Sequence, residues 1–533
     1  MLKLKALPLD KRDLFLPGLL MVVFLAFTLP GITWGAPAIW HPDEIVWRAL
    51  KALQGKWQFS MTNFDYPDLP QYIMYWLGRI ILRLGYTDRE VLVASRVLSA
   101  LLGGLSVVLT YVTVRRMGRG VWASALAGLL LICVTLMPHN ARFAHNDMYL
   151  LFFSVLVAFC LVSHVQSRWN GWLYAAFLAV GLAASSKYNG IALVLAPVAV
   201  VLLENWKGWF RWATFGKLAF GGLLTMAGFA IGTPRSILSP VFYFEHMLPA
   251  LIRTGNFLRE PDSVRGVIGQ YPVLAEGLGW PLAVLFAAGL IWACITLSRV
   301  WGRQPGLPVL LIPVLTLLAM DLPIMLSFNY QLRFFLTLMP PLAIFAALFV
   351  EALVAGASTT SRWAIGAALT LLVAYCFARN ISVMLLFIHD ARFAATEYVA
   401  ALPTGSTLEH TLYPPTIPEK HFKREHNYPL FFIKVPGDVL PTSDDYVFNV
   451  GEVGLDQRHT DYLVTDSFTY DRFANPFICA NTQVECDFFK QLDTGRSNHY
   501  RLAVEFKYSL PPYLPQVAVQ FVNPVIRIYE RIP

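Results

Sequence analysis

Charge is what this 533-residue chain has least of: 14% of its residues are Asp, Glu, Lys or Arg, and 34 of them are acidic. With 56% hydrophobic residues beside so little charge, a soluble globular chain is excluded. Cysteine is sparse as well. There are 6 in all, too few for a disulfide-built scaffold, and Cys133, Cys160, Cys294 and Cys376 fall inside apolar runs, where a cysteine packs as a small hydrophobe. No phosphate-binding glycine loop and no glycine fingerprint behind a soluble strand occurs, and no nucleic-acid reading motif does either. These absences exclude a conventional nucleotide site and a nucleic-acid partner, so the net charge of +8 needs another explanation.

What is present is apolar and aromatic: 15 Trp, 22 Tyr and 37 Phe, in repeated runs of the length that crosses a bilayer, roughly 20 residues. Eleven spans are expected, at about 14–34, 91–114, 121–138, 148–165, 172–186, 189–203, 217–232, 278–298, 307–328, 334–353 and 363–388. The first reads as an anchor, because no convincing small-x-small cleavage site follows it. The fifth and sixth are short and separated only by Lys187-Tyr188, which suggests a helical hairpin or re-entrant pair. With the N-terminus in the cytoplasm, the inside loops carry Lys11 and Arg12, Arg115, Arg116 and Arg119, Arg168, Lys207 and Arg211, Arg299, and Arg362. They hold almost no acid. The basic excess therefore reports topology in a multi-pass cell-membrane protein, in contact with membrane lipids and not with an anionic polymer.

The segments assigned outside differ in kind. A long loop, 34–90, mixes Trp34, Trp40, Trp47 and Trp57 with polar residues and reads partly as amphipathic interfacial helices. A second outer loop runs 233–277. The membrane domain is thus expected over 1–389. From 390 to 533 the chain turns polar, and "DYLVTDS", "RLAVEFKYS" and "VIRIYER" alternate as strands while "ARFAATEYVAAL" reads as a helix. The fold class expected is a polytopic α-helical membrane protein with a C-terminal extracytoplasmic mixed α/β domain. Cys479 and Cys486 lie close enough in that domain for a disulfide.

Chemistry-bearing residues collect on the outer side. "HPDEIVW" places Asp43 and Glu44 at a helix start, where carboxylates also serve the dipole. "NARFAHNDMYLL" places Arg142 and Asp147 at the third and fourth spans, where Asp147 could simply cap a helix. Lys187 and Arg333 stand at outer span ends, a position that a snorkelling anchor also occupies. Glu245 and His246 are adjacent in the second outer loop, and an isolated pair is weak evidence for a metal. Singly, none exceeds its ordinary structural role. Together, Asp43, Glu44, Asp147, Lys187, His246 and Arg333 come from six segments and reach one membrane level. Cations there neutralise a lipid phosphate while a carboxylate takes a proton from a hydroxyl.

With these residues the chain resembles the polytopic glycosyltransferases of the GT-C fold, in particular the protein O-mannosyltransferase and aminoarabinose lipid A transferase branch. Pro42-Asp43-Glu44 matches that family's acidic motif in the first outer loop, and "YPDLPQYIMYW" from Tyr66 loosely matches its Pro-rich segment. Arg142 and Asp147, Gly181 and Lys187, and Glu245-His246 match later elements in the same order. The resemblance covers about residues 14–350. One departure is that the aminoarabinose transferases have a Lys before a double Pro where this chain reads Asp65-Tyr66-Pro67-Asp68. The resemblance implies a polyprenyl-phosphate-linked sugar as donor, hexosyl or pentosyl, and an unidentified hydroxyl acceptor, with inversion at the anomeric carbon on the extracytoplasmic side. It implies Asp43 as general base and Glu44 and Asp147 as supporting carboxylates, with Lys187, Arg333 and Arg142 on the leaving phosphate. It also implies Tyr66, Asp68, Glu245 and His246 as substrate contacts, and makes His246 with Glu245 a candidate for a divalent metal ion.

Two other classes use charges at membrane level. A secondary transporter or flippase for a lipid-linked sugar would place ionisable residues near span centres and show paired repeats, whereas here they sit at span ends and no inverted repeat is evident. A membrane scaffold would have no need of a buried Asp-Glu pair.

Overall fold

The computed structural model describes residues 11–55, 64–255, 267–302, 306–326, 331–418, 421–427, 459–481, 483–517 and 519–532. Trp57 of the first outer loop lies outside them. The chain divides into two compact units, one of Met1–Ile32 with Asp43–Ile381, the other of Thr33–Pro42 with Ser382–Pro533.

The first unit is helical: α1 (Arg12–Thr28), α2 (Val46–Leu53), α3 (Leu69–Arg83), α4 (Asp88–Arg116), α5 (Val121–Cys133), α6 (Leu136–Asn140), α7 (Asp147–Ser167), α8 (Asn170–Ser186), α9 (Leu195–Glu204) and α10 (Trp212–Gly232). It continues with α11 (Arg235–Leu238), α12 (Pro240–Gly255), α13 (Val267–Leu278), α14 (Trp280–Val300), α15 (Leu311–Leu326), α16 (Met339–Gly356) and α17 (Thr359–Ile388), whose last turns lie in the other unit. Among the described residues, 6 helical stretches are long and apolar enough to cross a membrane. Several of the eleven expected spans are shorter as helix than as apolar sequence. α5 stops at Cys133 because Val134 turns extended ahead of Pro138. After α8, Lys187 is extended (φ −155°, ψ 133°), and Tyr188–Val194 wind as a 3₁₀ turn before α9, with Gly190 so close to α8 that a Cβ there would lie 2.5 Å from the Ala183 carbonyl.

Packing relies on small residues where backbones approach. A Cβ at Gly181 of α8 would lie 2.1 Å from the Thr225 carbonyl of α10, and one at Gly228 would lie 2.4 Å from the Leu178 carbonyl. Gly181, matched above to a motif beside Lys187, thus serves helix contact. Thr225 Oγ1 donates to the Phe177 carbonyl across the same seam at 3.0 Å. At the other end of α4, Arg115 forks onto Asp13 of α1 at 2.8 and 2.9 Å.

The second unit is a mixed α/β module. Its strands β1 (Thr407–His410), β2 (Arg424–Asn427), β3 (Tyr462–Asp466), β4 (Tyr500–Phe506) and β5 (Ile526–Arg531) are ordered β2-β1-β3-β5-β4. β1 runs parallel to β2 and β3, and β5 runs antiparallel to β3 and β4. Alternation splits the core over two faces. Val464, Ile526 and Ile528 pack with Ala395 and Val399 of α18 (Ala391–Ala401), while Leu463 and Tyr529 pack with Phe473, Phe488 and Phe489. Cys479 and Cys486 are joined by a disulfide. Thr33–Pro42 completes this unit: the Arg392 guanidinium lies 4.8 Å over the Trp34 ring and 4.5 Å over the Trp40 ring. Asp390 receives Arg392 Nη2 at 2.8 Å and Trp34 Nε1 at 2.9 Å.

Candidate active site

Asp43 and Glu44 are neighbours in sequence with opposite surroundings. Glu44 is fully buried. Arg96 of α4 donates Nε to its Oε1 and Nη2 to its Oε2, each at 2.7 Å, and gives Nη1 to the Ile32 carbonyl at 3.1 Å. Ala144 N donates to Glu44 Oε1 at 2.8 Å, and Ile45 N donates to the Ala144 carbonyl at 3.0 Å. This closed fork fixes the entry to α2 against α4 and the α6–α7 link. Asp43 retains 29% side-chain exposure, and its Oδ2 lies 2.7 Å from Nη1 of Arg333, which precedes α16.

A second carboxylate joins from α7. Asp147, its first residue, receives Lys187 Nζ on Oδ1 at 2.7 Å and lies 2.9 Å through Oδ2 from His145 Nδ1. Phe334 lies beside both cations, 4.8 Å from Lys187 Nζ and 5.7 Å from the Arg333 guanidinium. Tyr66 packs edge-on to His145 at 5.7 Å between centroids. Burial pushes its phenol above the ordinary range, with the charges of Asp43 and Asp147 adding to that and Arg333 opposing it. Asp43, Tyr66, Asp147, Lys187 and Arg333, expected separately from sequence, are therefore gathered in one cluster, where the extended Lys187 and the first residue of α7 meet.

Beside it stands another buried pair. Asp68, at the entry to α3, lies 2.8 Å through Oδ2 from Arg235 Nε of α11. Burial raises the Asp68 carboxyl to about 7, with Arg235 opposing. Thr233 Oγ1 accepts from Asp68 N at 3.3 Å and shares a hydrogen bond with Ser185 Oγ at 2.7 Å. The Arg235 guanidinium is 4.4 Å over Phe64 and 5.2 Å over Tyr243, whose hydroxyl donates to that of Tyr188 at 3.0 Å.

Other expected site residues are committed elsewhere, although the His246 ring also lies 5.2 Å from Phe64. Arg142 is buried with its N–H groups on the backbone carbonyls of Pro138 (2.7 Å), Pro30 (3.2 Å) and Phe27, which ties the end of α1 to the α6–α7 link. A guanidinium spent on three carbonyls is a poor receiver for phosphate. Glu44 is spent on Arg96 in the same way. Glu245 and His246 are exposed on α12; His246 Nδ1 pairs with the Phe242 carbonyl at 2.9 Å, and its ring lies 4.2 Å from Phe242. Among the described residues no group of three His, Cys, Asp or Glu could hold a metal ion. Sequence reasoning passed over Arg48, Arg96 and Arg235. For Arg96 a signal existed: it is a charge inside the expected span 91–114.

Helix order and a C-terminal sheet define the architecture as a multi-pass membrane fold of the GT-C type. The solved structure of ArnT from Cupriavidus metallidurans bound to undecaprenyl phosphate shares it, with a TM-score of 0.51 at 14% identity over 97% of each chain. So does the apo oligosaccharyltransferase of Archaeoglobus fulgidus, at 0.57 and 12% identity over 98% of this chain and 88% of that one. In sequence, residues 75–245 match the model of the dolichyl-phosphate-mannose-protein mannosyltransferase family. The undecaprenyl phosphate-alpha-4-amino-4-deoxy-L-arabinose arabinosyl transferase 1 of Pseudomonas fluorescens is 27% identical over 303 residues, which is 54% of this chain and 49% of that protein. The match thus spans about half the length of that relative. The resemblance read from the motifs is borne out at this level.

Proposed function

We propose that the protein is an inverting glycosyltransferase that moves a sugar from a polyprenyl-phosphate donor to an acceptor hydroxyl on the extracytoplasmic side of the membrane. The observation that carries this reading is the meeting of Asp43 and Asp147 with Lys187, Arg333 and Tyr66, in which one carboxylate stays partly open to an incoming group. Asp43 takes the proton of the acceptor hydroxyl, and the oxygen attacks the anomeric carbon. The bond from that carbon to the phosphate oxygen breaks, and the electron pair leaves with the polyprenyl phosphate. Lys187 and Arg333, held by Asp147 and Asp43 until the donor arrives, offset the charge that gathers on the leaving phosphate. Glu44 acts through Arg96, setting the position of Asp43, and Asp147 orients Lys187. The relatives support a lipid-linked sugar donor, since the names of the sequence relatives state a polyprenyl-phosphate sugar. The C-terminal unit is proposed to select the acceptor.

The test is sugar transfer or release from a panel of synthetic polyprenyl-phosphate sugars by detergent-purified protein, with wild type and Asp43→Asn in parallel. Asp43-dependent turnover of any donor establishes the reading. Equal turnover by both proteins removes Asp43 as base, and absence of turnover across the panel with envelope extract as acceptor moves the reading to transport.

A further inference from the structure

Arg48 is a buried cation that the proposed chemistry does not use. It lies on the face of α2 that also buries Val46, Ala49 and Leu50, and 4% of the residue is exposed. Among the described residues its Nε and Nη1 have no hydrogen-bond partner. Its guanidinium is instead flanked by rings, 5.2 Å over Trp47 and 5.5 Å over Tyr66. Rings satisfy part of the charge but none of the N–H directions. A buried guanidinium with two unfilled donors is costly unless something periodically fills them. Arg96 and Arg142 show how the same chain treats other buried arginines, with oxygen acceptors on Nε, Nη1 and Nη2, and Arg392 leaves Nη1 alone unfilled among the described residues.

The surroundings say what would fill them. Arg48 and Arg235 both act on Asp68, and the other charge facing Arg48 is the half-buried Asp65. Burial holds the Arg48 guanidinium below its ordinary range, with Asp65, Tyr66 and Asp68 opposing that fall. Tyr66, whose ring lies 5.5 Å from the Arg48 guanidinium, is also within reach of the charges of Asp43, Asp147 and Arg333. An oxyanion that accepts from Nε and Nη1 would sit one aromatic ring away from the proposed reacting centre.

We propose that Arg48, supported by Arg235, forms an anion-binding subsite next to Tyr66 that receives an oxyanion of phosphate type. It rests on the transferase reading only for its source: the phosphate of the lipid donor on its way to Lys187 and Arg333, or an anionic group carried by the acceptor. The subsite explains why α2 carries a charge on its buried face, and it gives Tyr66 a position between two anion-handling groups.

Binding tests it without turnover. Farnesyl phosphate, farnesol and inorganic phosphate would be titrated calorimetrically into the detergent-purified full chain, as wild type, Arg48→Gln and Arg48→Lys, with thermal unfolding of each recorded. Hydrogen bonds to a charged group predict that Arg48→Gln weakens the anion by about 10- to 100-fold and leaves farnesol unchanged, with Arg48→Lys falling between. Loss confined to farnesyl phosphate assigns the subsite to the donor lipid. Loss of inorganic phosphate alone assigns it to a free or acceptor-borne anion, and loss of both supports a subsite that takes either. Equal anion binding by a folded Arg48→Gln, or no anion binding by wild type, overturns the subsite. If Arg48→Gln does not fold, Arg48→Lys serves: unchanged binding of both anions overturns the proposal, and a several-fold loss supports it. Arg48-dependent binding in a protein that transfers no sugar would keep the subsite and remove the transferase reading.

Discussion

Two adjacent carboxylates on one loop have been put to opposite uses. Around Glu44 each oxygen and each Arg96 nitrogen meets a partner, and both side chains are sealed from solvent. Around Asp43 the ion pair with Arg333 is partly open, and Arg333 Nε has no hydrogen bond among the described residues. A closed pair stores its value in geometry: removing one partner strands a charge in an apolar setting. An open pair can exchange its partner for a substrate at little structural cost. The difference teaches that burial alone does not mark a working charge. Unfilled donors and residual exposure do.

The largest effect that would sharpen this contrast is on the open side. Asp43→Asn should lower transfer by about 10²- to 10⁴-fold while shifting the thermal midpoint little, read by the transfer assay and by unfolding of the same sample. On the closed side, Glu44→Gln should cost about 3–5 kcal/mol of stability by leaving Arg96 buried against a neutral amide. Thermal unfolding in detergent checks this. A Glu44→Gln protein as stable as wild type would break the contrast.

Asp68 stands between the two cases, paired but reluctant to ionise. Its carboxyl is raised to about 7 by burial from an ordinary value near 3.8, so the folded protein keeps a proton that the unfolded chain has released. Its contribution is therefore greatest below about pH 4 and falls as the pH rises to about 7. The thermal midpoint of Asp68→Asn should show a weaker decline than wild type across that window; parallel curves would show that Asp68 is not the titrating group. The smallest effect belongs to Arg501 and Glu530, an exposed cross-strand pair of β4 and β5 at 2.6 Å. Arg501→Ala should cost less than about 1 kcal/mol, and a larger loss on unfolding would mean that exposure is a poor guide to what an ion pair contributes here.

What was legible in the sequence is what is local. Hydropathy located the apolar stretches, and alternation located β3, β4 and β5, because both depend on residues a few positions apart. The gathering of Asp43, Asp147, Lys187 and Arg333 was readable as a shared level at the span ends. Which carboxylate would be open was not, since Glu44 is committed by a partner 52 residues away. The partners of Arg142 were hidden for the same reason: its carbonyl acceptors at Phe27 and Pro30 leave no pattern in side-chain chemistry. Helix lengths were overstated at α5 and α9 because hydropathy registers neither an extended residue such as Val134 nor a 3₁₀ turn such as Tyr188–Val194.

The stack of Trp34, Arg392 and Trp40 also imposes an order in time. Trp34 and its acceptor Asp390 are 356 residues apart, so a ribosome adding about 5–20 residues per second needs roughly 20–70 seconds to make the second after the first. Throughout that interval Trp34 has been synthesised and Asp390 has not. The C-terminal unit cannot complete its fold as an independent late product, because ten residues of it were translated before most of the membrane helices existed. Each newly made chain thus carries a waiting period, ended only when its last part reaches back to its first.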